Sequence, residues 1–374
     1  KEQRSPSLLR GRRGMALRIT PSSRSALVSV CWLIAASSAS ECPLQDAEGV
    51  TRSSCSASTV PRHDLKDAVA EVHQLQDLSL LQRDASQAHR RGHSGLAASP
   101  AFERSGVSWS PGLPIAAVAP PGFCVFENDW YSAPLLSKEV IAPDTRVFTF
   151  GLPNASEPLG LCTCGAIMAR APAGAQAPLD EDGELLARPY TPVSTNAMLG
   201  KFQLMVKIYP DGAFTPYMDS LQVGQSLEFN HMDPGNVKIQ YPFGRANVGM
   251  VVGGTGITPM IQALHAILGT PWDTSKVTML YSSKSAEEIL AKETLDTWAA
   301  DFPDRLTVVY VLSEEPANSD WKGLRGHIDK SLLQKHLPKP SIDSIIFVCG
   351  PEVSGFYDTF SGPRADKENV TGLL

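Results

Sequence analysis

Between Trp130 and Asn230 the apolar residues come in short runs: Lys138–Ala142, Arg146–Gly151, Gly165–Arg170, Leu186–Tyr190, Gly200–Tyr209 and Ser226–Asn230. Runs this short, parted by turn-forming residues, predict antiparallel strands closing into a barrel. From Asn247 the rhythm changes. The apolar runs Val248–Val252, Val277–Tyr281, Leu306–Leu312 and Ile345–Cys349 alternate with helical spacing at 259–268, Ala286–Ala300 and Asp329–His336, and a last helical stretch follows. Strands buried on both faces between helices predict a parallel, doubly wound sheet. The expected architecture is a β-barrel domain over 123–244 followed by an α/β domain over 245–374.

The first 122 residues keep neither rhythm for long. Residues 1–40 carry Lys1, Arg4, Arg10, Arg12, Arg13, Arg18 and Arg24 against one acid, Glu2. The apolar stretch Ala26–Ala36, followed by the small residues Ser37-Ser38-Ala39, has the length of a signal-peptide core and is shorter than a membrane-spanning helix. This composition predicts a targeting segment, and three readings stay open: a secretory signal, an uncleaved anchor, or an organellar presequence. The expected location is an organelle or a membrane, with mitochondrion and endoplasmic reticulum as the candidates. Residues 41–122 read as an extension without a core. Within them Leu65, Ala68, Val69, Val72, Leu75 and Leu78 space out one amphipathic helix over Asp64–Gln82, and the Ala-, Ser-, Pro- and Gly-rich stretch 83–122 reads as a flexible tether.

Composition narrows the function classes. With 374 residues and 43% hydrophobic side chains, two cores are affordable. A net charge of −6 argues against a nucleic-acid binder, whose affinity rests on a basic face. The seven cysteines show no CxxC spacing, so neither a zinc site nor a disulfide framework is indicated.

The chemistry gathers in two stretches. Arg188-Pro189-Tyr190-Thr191-Pro192 is extended by its prolines, with Arg188 and Tyr190 on one face and Thr191 on the other. A guanidinium, a phenol and a hydroxyl so ordered suit a ligand with an anionic bridge and a planar polar ring, such as a flavin dinucleotide. An ordinary edge strand with a surface arginine would carry the same residues. The second stretch, Val248 to Met260, runs from an apolar strand through Gly253-Gly254-Thr255-Gly256 into a helix. Glycines at such a turn let backbone approach a pyrophosphate, although the spacing is not GxGxxG. Ligands of parallel sheets sit beyond the carboxyl ends of the strands, where this turn and Cys349-Gly350-Pro351 both fall.

In this order, with Val206-Lys207-Ile208-Tyr209 between them, these motifs resemble the NADH-cytochrome b5 reductase family, within the ferredoxin-reductase-type flavoproteins, over about two thirds of the chain from Trp130. The resemblance implies a six-stranded FAD barrel, an NAD domain, and hydride transfer from NADH to the flavin with single electrons passed on to a small haem protein such as cytochrome b5. It implies that Arg188 pairs with the FAD pyrophosphate, Pro189 and Tyr190 pack on the flavin, and Thr191 bonds near the reacting ring nitrogen. It assigns Met205, Lys207 and Thr258 to further flavin contacts, and Gly212, Phe214 and Thr215 to a phosphate loop. Gly253, Gly254, Thr255 and Gly256 would receive the dinucleotide, and Cys349, with Gly350 and Pro351, would stand beside the nicotinamide, making Thr191 and Cys349 the catalytic pair.

Three departures stand out. Ala213 replaces the family's phosphate-loop lysine, Glu352 follows the Cys-Gly-Pro motif, and the chain stops at Leu374, short of the family's terminal strand. They keep a non-catalytic dinucleotide-binding module in view, beside a second enzyme reading, an NAD(P)H reductase serving ferredoxin or quinone.

Overall fold

A computed structural model describes residues 109–119, 123–127, 129–174, 176–231, 240–351 and 356–361. The targeting segment, the helix over Asp64–Gln82 and Glu352 lie outside the described residues. Among the described residues no helix is long and apolar enough to cross a membrane.

The first unit is a six-stranded antiparallel sheet in the order β4-β3-β6-β1-β2-β5, from β1 (Tyr131–Ala142), β2 (Thr145–Gly151), β3 (Ile167–Arg170), β4 (Ala187–Tyr190), β5 (Lys201–Lys207) and β6 (Ser226–His231). Its two ends meet just past β4, where Val193 N–H donates to the Gln203 carbonyl on β5. Inward residues fill the closed sheet: Phe126, Phe150, Phe202 and Phe229 pack edge-on or stacked with centroids 5.0–5.8 Å apart. β1 starts seven residues before the expected strand at Lys138, because its first part, Tyr131–Pro134, pairs with β6 and only then turns to pair with β2. Helix α1 (Phe214–Ser220) was not anticipated; it is one short segment between two strands, too brief to show a period.

The second unit is a parallel sheet in the order β10-β9-β8-β7-β11. Its strands are β7 (Asn247–Gly253), β8 (Lys276–Ser283), β9 (Leu306–Leu312), β10 (Leu324–Arg325) and β11 (Ser344–Cys349). Helices α2 (Ile257–Gly269), α3 (Lys292–Asp301), α4 (Lys330–His336) and α5 (Phe356–Ser361) complete it. β7 is buried on both faces: Val248, Met250 and Val252 join the α2 core, while Val251 packs with Leu333, Leu337 and Phe360 opposite. The helix expected over Ala286–Ala300 is divided into a 3-10 turn at Ala286–Glu288 and α3, because Ile289 and Leu290 dip into the core and Ala291 takes a left-handed φ of 55°.

The tether expected over 83–122 is corrected for residues 109–119, which form a strap laid across both units. Trp109 is buried and its indole N–H donates to Gln203 Oε1 on the barrel. Trp298 on α3 donates to the Gly112 carbonyl, Ile115 N–H donates to His265 Nδ1 on α2, and Asn196 donates to the Ala117 carbonyl. Gly269 leaves the shelf on which the strap lies, since a Cβ there would stand 2.5 Å from Ala116 N.

Burial beneath this strap pushes the His265 imidazole down to about 4. A histidine held below its ordinary pKa of 6.5 binds fewer protons folded than unfolded. Its contribution to stability is therefore complete above pH 6.5 and is lost as pH falls through that value toward about 4, by roughly 3 kcal/mol. His265→Gln keeps an acceptor for Ile115 and does not titrate. Urea unfolding at pH 7 and pH 4 is expected to show the stability difference moving by about that amount in the variant's favour; parallel pH profiles would refute the assignment.

Candidate active site

One cleft, open to solvent, runs along the seam between the units. From the barrel it takes Arg188, Pro189, Tyr190 and Thr191 at the end of β4, Met205 and Lys207 on β5, and the turn Gly212–Thr215. From the parallel sheet it takes Thr255, Thr258 and Cys349. Motifs far apart in sequence thus face one another, because β4 ends at one edge of the barrel and β7 and β11 present their carboxyl ends to it.

Arg188 has the most informative environment. Its Nη1 donates to the Ala187 carbonyl at 2.9 Å, whereas Nη2 is buried with no partner. Burial works against its charge, while Asp180 favours it. Such a guanidinium N–H, desolvated and unanswered, fits an anionic ligand. Beside it the Tyr190 ring packs on Phe214 with centroids 6.2 Å apart, and burial pushes its phenol pKa up, so the hydroxyl stays protonated. Met205 is buried, as are Thr191 and Thr258.

Lys207 lines the cleft, yet its ammonium is held by Asp144 at 2.6 Å and Glu288 at 3.0 Å. Burial opposes its charge, but these two carboxylates outweigh burial and its pKa rises. Because Glu288 follows β8, this cation bolts the barrel to the parallel sheet. Thr215 Oγ1 accepts from Tyr209 N–H and Gly212 N–H donates to the Tyr209 carbonyl, which folds the turn back on itself.

The glycines divide into two kinds. Gly254 has a φ of +49° with open space beside it, and its carbonyl accepts from the Tyr281 hydroxyl. Gly253, Gly256 and Gly350 are small because of packing. A Cβ at Gly253 would stand 2.9 Å from the Phe356 ring, one at Gly350 would overlap that ring, and one at Gly256 would fall on the Cys349 carbonyl. Gly253, Gly254, Gly256, Gly350 and Pro351 do not line the cleft, whereas Leu186, Val206 and Tyr209 line it without having been anticipated as site residues, and so does Ala213, expected there only as the replacement of a lysine. Strand alternation carried the signal for two of these: Leu186 falls in step with Arg188 and Tyr190, and Tyr209 with Met205 and Lys207.

Residues 132–232 match the oxidoreductase FAD-binding domain, and residues 250–354 match the oxidoreductase NAD-binding domain. NADH-cytochrome b5 reductase 1 of Scheffersomyces stipitis is 37% identical over 58% of this chain and 72% of its own length. The chain belongs to the NADH-cytochrome b5 reductase family. Other members are similar over comparable spans. NADH-cytochrome b5 reductase 2 of Aspergillus fumigatus is 35% identical over 69% of this chain and 79% of its own length. The NADH-cytochrome b5 reductase-like protein of Arabidopsis thaliana is 36% identical over 66% and 73%. The crystal structure of the cytochrome b5 reductase domain of Ulva prolifera nitrate reductase shares the fold, with a TM-score of 0.52 and 27% identity over 64% of this chain and 92% of that one. The protein is thus an FAD- and NAD-binding oxidoreductase of the cytochrome b5 reductase type.

Proposed function

We propose that this reductase accepts hydride from NADH at the seam cleft and passes the electrons singly to a small haem protein of the cytochrome b5 kind. Bound FAD supplies the chemistry that links a two-electron donor to a one-electron acceptor. The observation that carries the proposal is the buried, partnerless Nη2 of Arg188 in a cleft shared by a barrel wall and a dinucleotide-turn wall. Arg188 would hold the pyrophosphate of FAD, which answers the N–H the protein leaves unanswered.

The other residues divide the work by wall. Tyr190, Met205 and Phe214 would form the apolar face against the flavin, with the Thr191 hydroxyl at its edge. Thr255, Thr258 and Cys349 would shape the opposite wall, where NADH enters, and the open backbone at Gly254 suits the approach of its phosphates. Lys207, with its ammonium bound to Asp144 and Glu288, would contribute its aliphatic stem and the alignment of the two walls. Ala213 makes the phosphate loop depend on backbone groups and on Arg188.

The test is the visible spectrum of the purified protein under anaerobic conditions. The expected protein is yellow, bleaches on addition of NADH much faster than on addition of NADPH, and recovers its colour when oxidised cytochrome b5 is added. A colourless protein, or a yellow one that NADH leaves unchanged, contradicts the hydride step. A strong preference for NADPH contradicts the donor, and recovery with ferredoxin or quinone but not with cytochrome b5 contradicts the acceptor.

A further inference from the structure

Helix α2 is apolar along almost its whole length, and Gln262 stands out within it. Its side chain is 8% exposed and makes no contact with the cleft that holds the proposed chemistry. Its carboxamide reaches across the seam instead. Nε2 donates to the Pro192 carbonyl at 2.6 Å, and Oε1 accepts from Cys164 N–H at 2.7 Å. Both partners are barrel backbone, and Cys164 presents its N–H from a left-handed φ of 63°.

The placement of those partners matters. Pro192 directly follows Thr191 on one cleft wall, and Thr258 sits one turn before Gln262 on the helix that forms the other. A rigid planar amide with both ends bonded therefore fixes the separation between the two walls. We infer that Gln262 is a positioning residue: it sets how the nicotinamide side of the cleft is aligned with the flavin side. The inference deepens the proposed hydride transfer and rests on it. No alternative partner replaces it cheaply, because removing the amide leaves a buried N–H and a buried carbonyl unpaired.

The residues proposed to hold FAD lie in the barrel, so loss of the strut spares FAD binding and loosens alignment. Misplacement of bound reactants by about 1 Å slows a reaction on the order of 100-fold. Gln262→Leu is expected to purify with full FAD and to be reduced by NADH roughly 10- to 100-fold more slowly. The long-wavelength charge-transfer absorbance of reduced flavin against oxidised nicotinamide, which reports ring overlap, is expected to weaken.

Gln262→Glu supplies a rescue that a purely structural role would not show. As a carboxylate it accepts from Cys164 but cannot donate to Pro192, whereas the protonated acid does both. Burial raises the pKa of such an acid. Its reduction rate relative to wild type is therefore expected to climb as pH falls from 8 to 6. His265, one turn further along, and the Cys164 thiol are the titrating groups beside it; burial keeps both neutral over that range.

Amide hydrogen exchange on the wild-type holoprotein provides a readout independent of folding in the variants: the Cys164 amide is expected to be as protected as the sheet ladders. Wild-type rates and an undiminished charge-transfer band in Gln262→Leu, a flat pH profile in Gln262→Glu, or fast exchange at Cys164 each overturn the inference. If wild type itself is not bleached by NADH, the hydride reading has failed instead.

Discussion

Replacing Arg188 with methionine is expected to give a colourless protein. The methionine keeps most of the buried stem volume and removes the charge. In the present structure Nη1 donates to the Ala187 carbonyl and Nη2 has no partner. Hydrogen bonds to charged groups are worth about 1.5–3 kcal/mol each, so losing the guanidinium costs FAD binding about 3 kcal/mol, or roughly 150-fold in affinity. The apoprotein responds in the opposite sense. A buried, unanswered N–H destabilises the empty fold, so the variant apoprotein is expected to melt no lower than wild-type apoprotein, and by a few degrees higher. FAD titration and thermal melts of both apoproteins separate these effects. A yellow variant with full FAD occupancy would remove Arg188 from the binding site.

The second large effect is expected at Gly256. Its backbone, with φ of −59° and ψ of −8°, is one that alanine adopts freely. The obstacle is space: a Cβ there falls on the Cys349 carbonyl and stands 2.8 Å from Gly350 N. Backbone cannot rotate aside as a side chain can. Gly256→Ala therefore pushes the end of β11 away from the start of α2, at the upper end of the usual overpacking range, about 3 kcal/mol. That corresponds to roughly 10–15 °C in melting temperature for a unit of this size. It also draws Cys349 away from Thr255 and Thr258, so NADH reduction is expected to slow at least about tenfold while FAD content holds. For melting alone, Gly254→Ala is the control, because it meets open space and incurs only the left-handed backbone penalty of about 1 kcal/mol. Melting of Gly256→Ala within 2 °C of wild type, a range of roughly 0.5 kcal/mol, would show that the turn yields more easily than its packing implies.

The parts of this molecule that were legible in sequence are those with a repeat or a motif. Short apolar runs parted by turn residues marked the strands of the barrel, continuous apolar runs between helices marked β7, β8, β9 and β11, and Arg188-Pro189-Tyr190-Thr191 with Gly253–Gly256 marked the two cleft walls. What escaped depends on single long-range pairings. Lys207 looks like a solvated strand charge until Asp144 and Glu288 are seen beside it. Gln262 looks like one polar interruption in an apolar helix, although a lone amide in such a setting is itself a signal of buried hydrogen bonding. Residues 109–119 have a linker's composition, and they are held largely by backbone groups bonded to side chains elsewhere, which no local pattern records. The helix expected through Ala291 failed because core packing of Ile289 and Leu290 overrode a continuous helical spacing.

The strap also bears on how the protein can be shortened. Trimmed to the reach of the two matched domains, 132–354, it would lose Trp109 and the backbone that meets Trp298 and His265. An indole N–H, an imidazole and the bare shelf at Gly269 would then face water, along the line where two lobes must keep a fixed spacing. Such a minimal catalytic unit would fold with a slack joint, and its turnover would understate that of the whole enzyme.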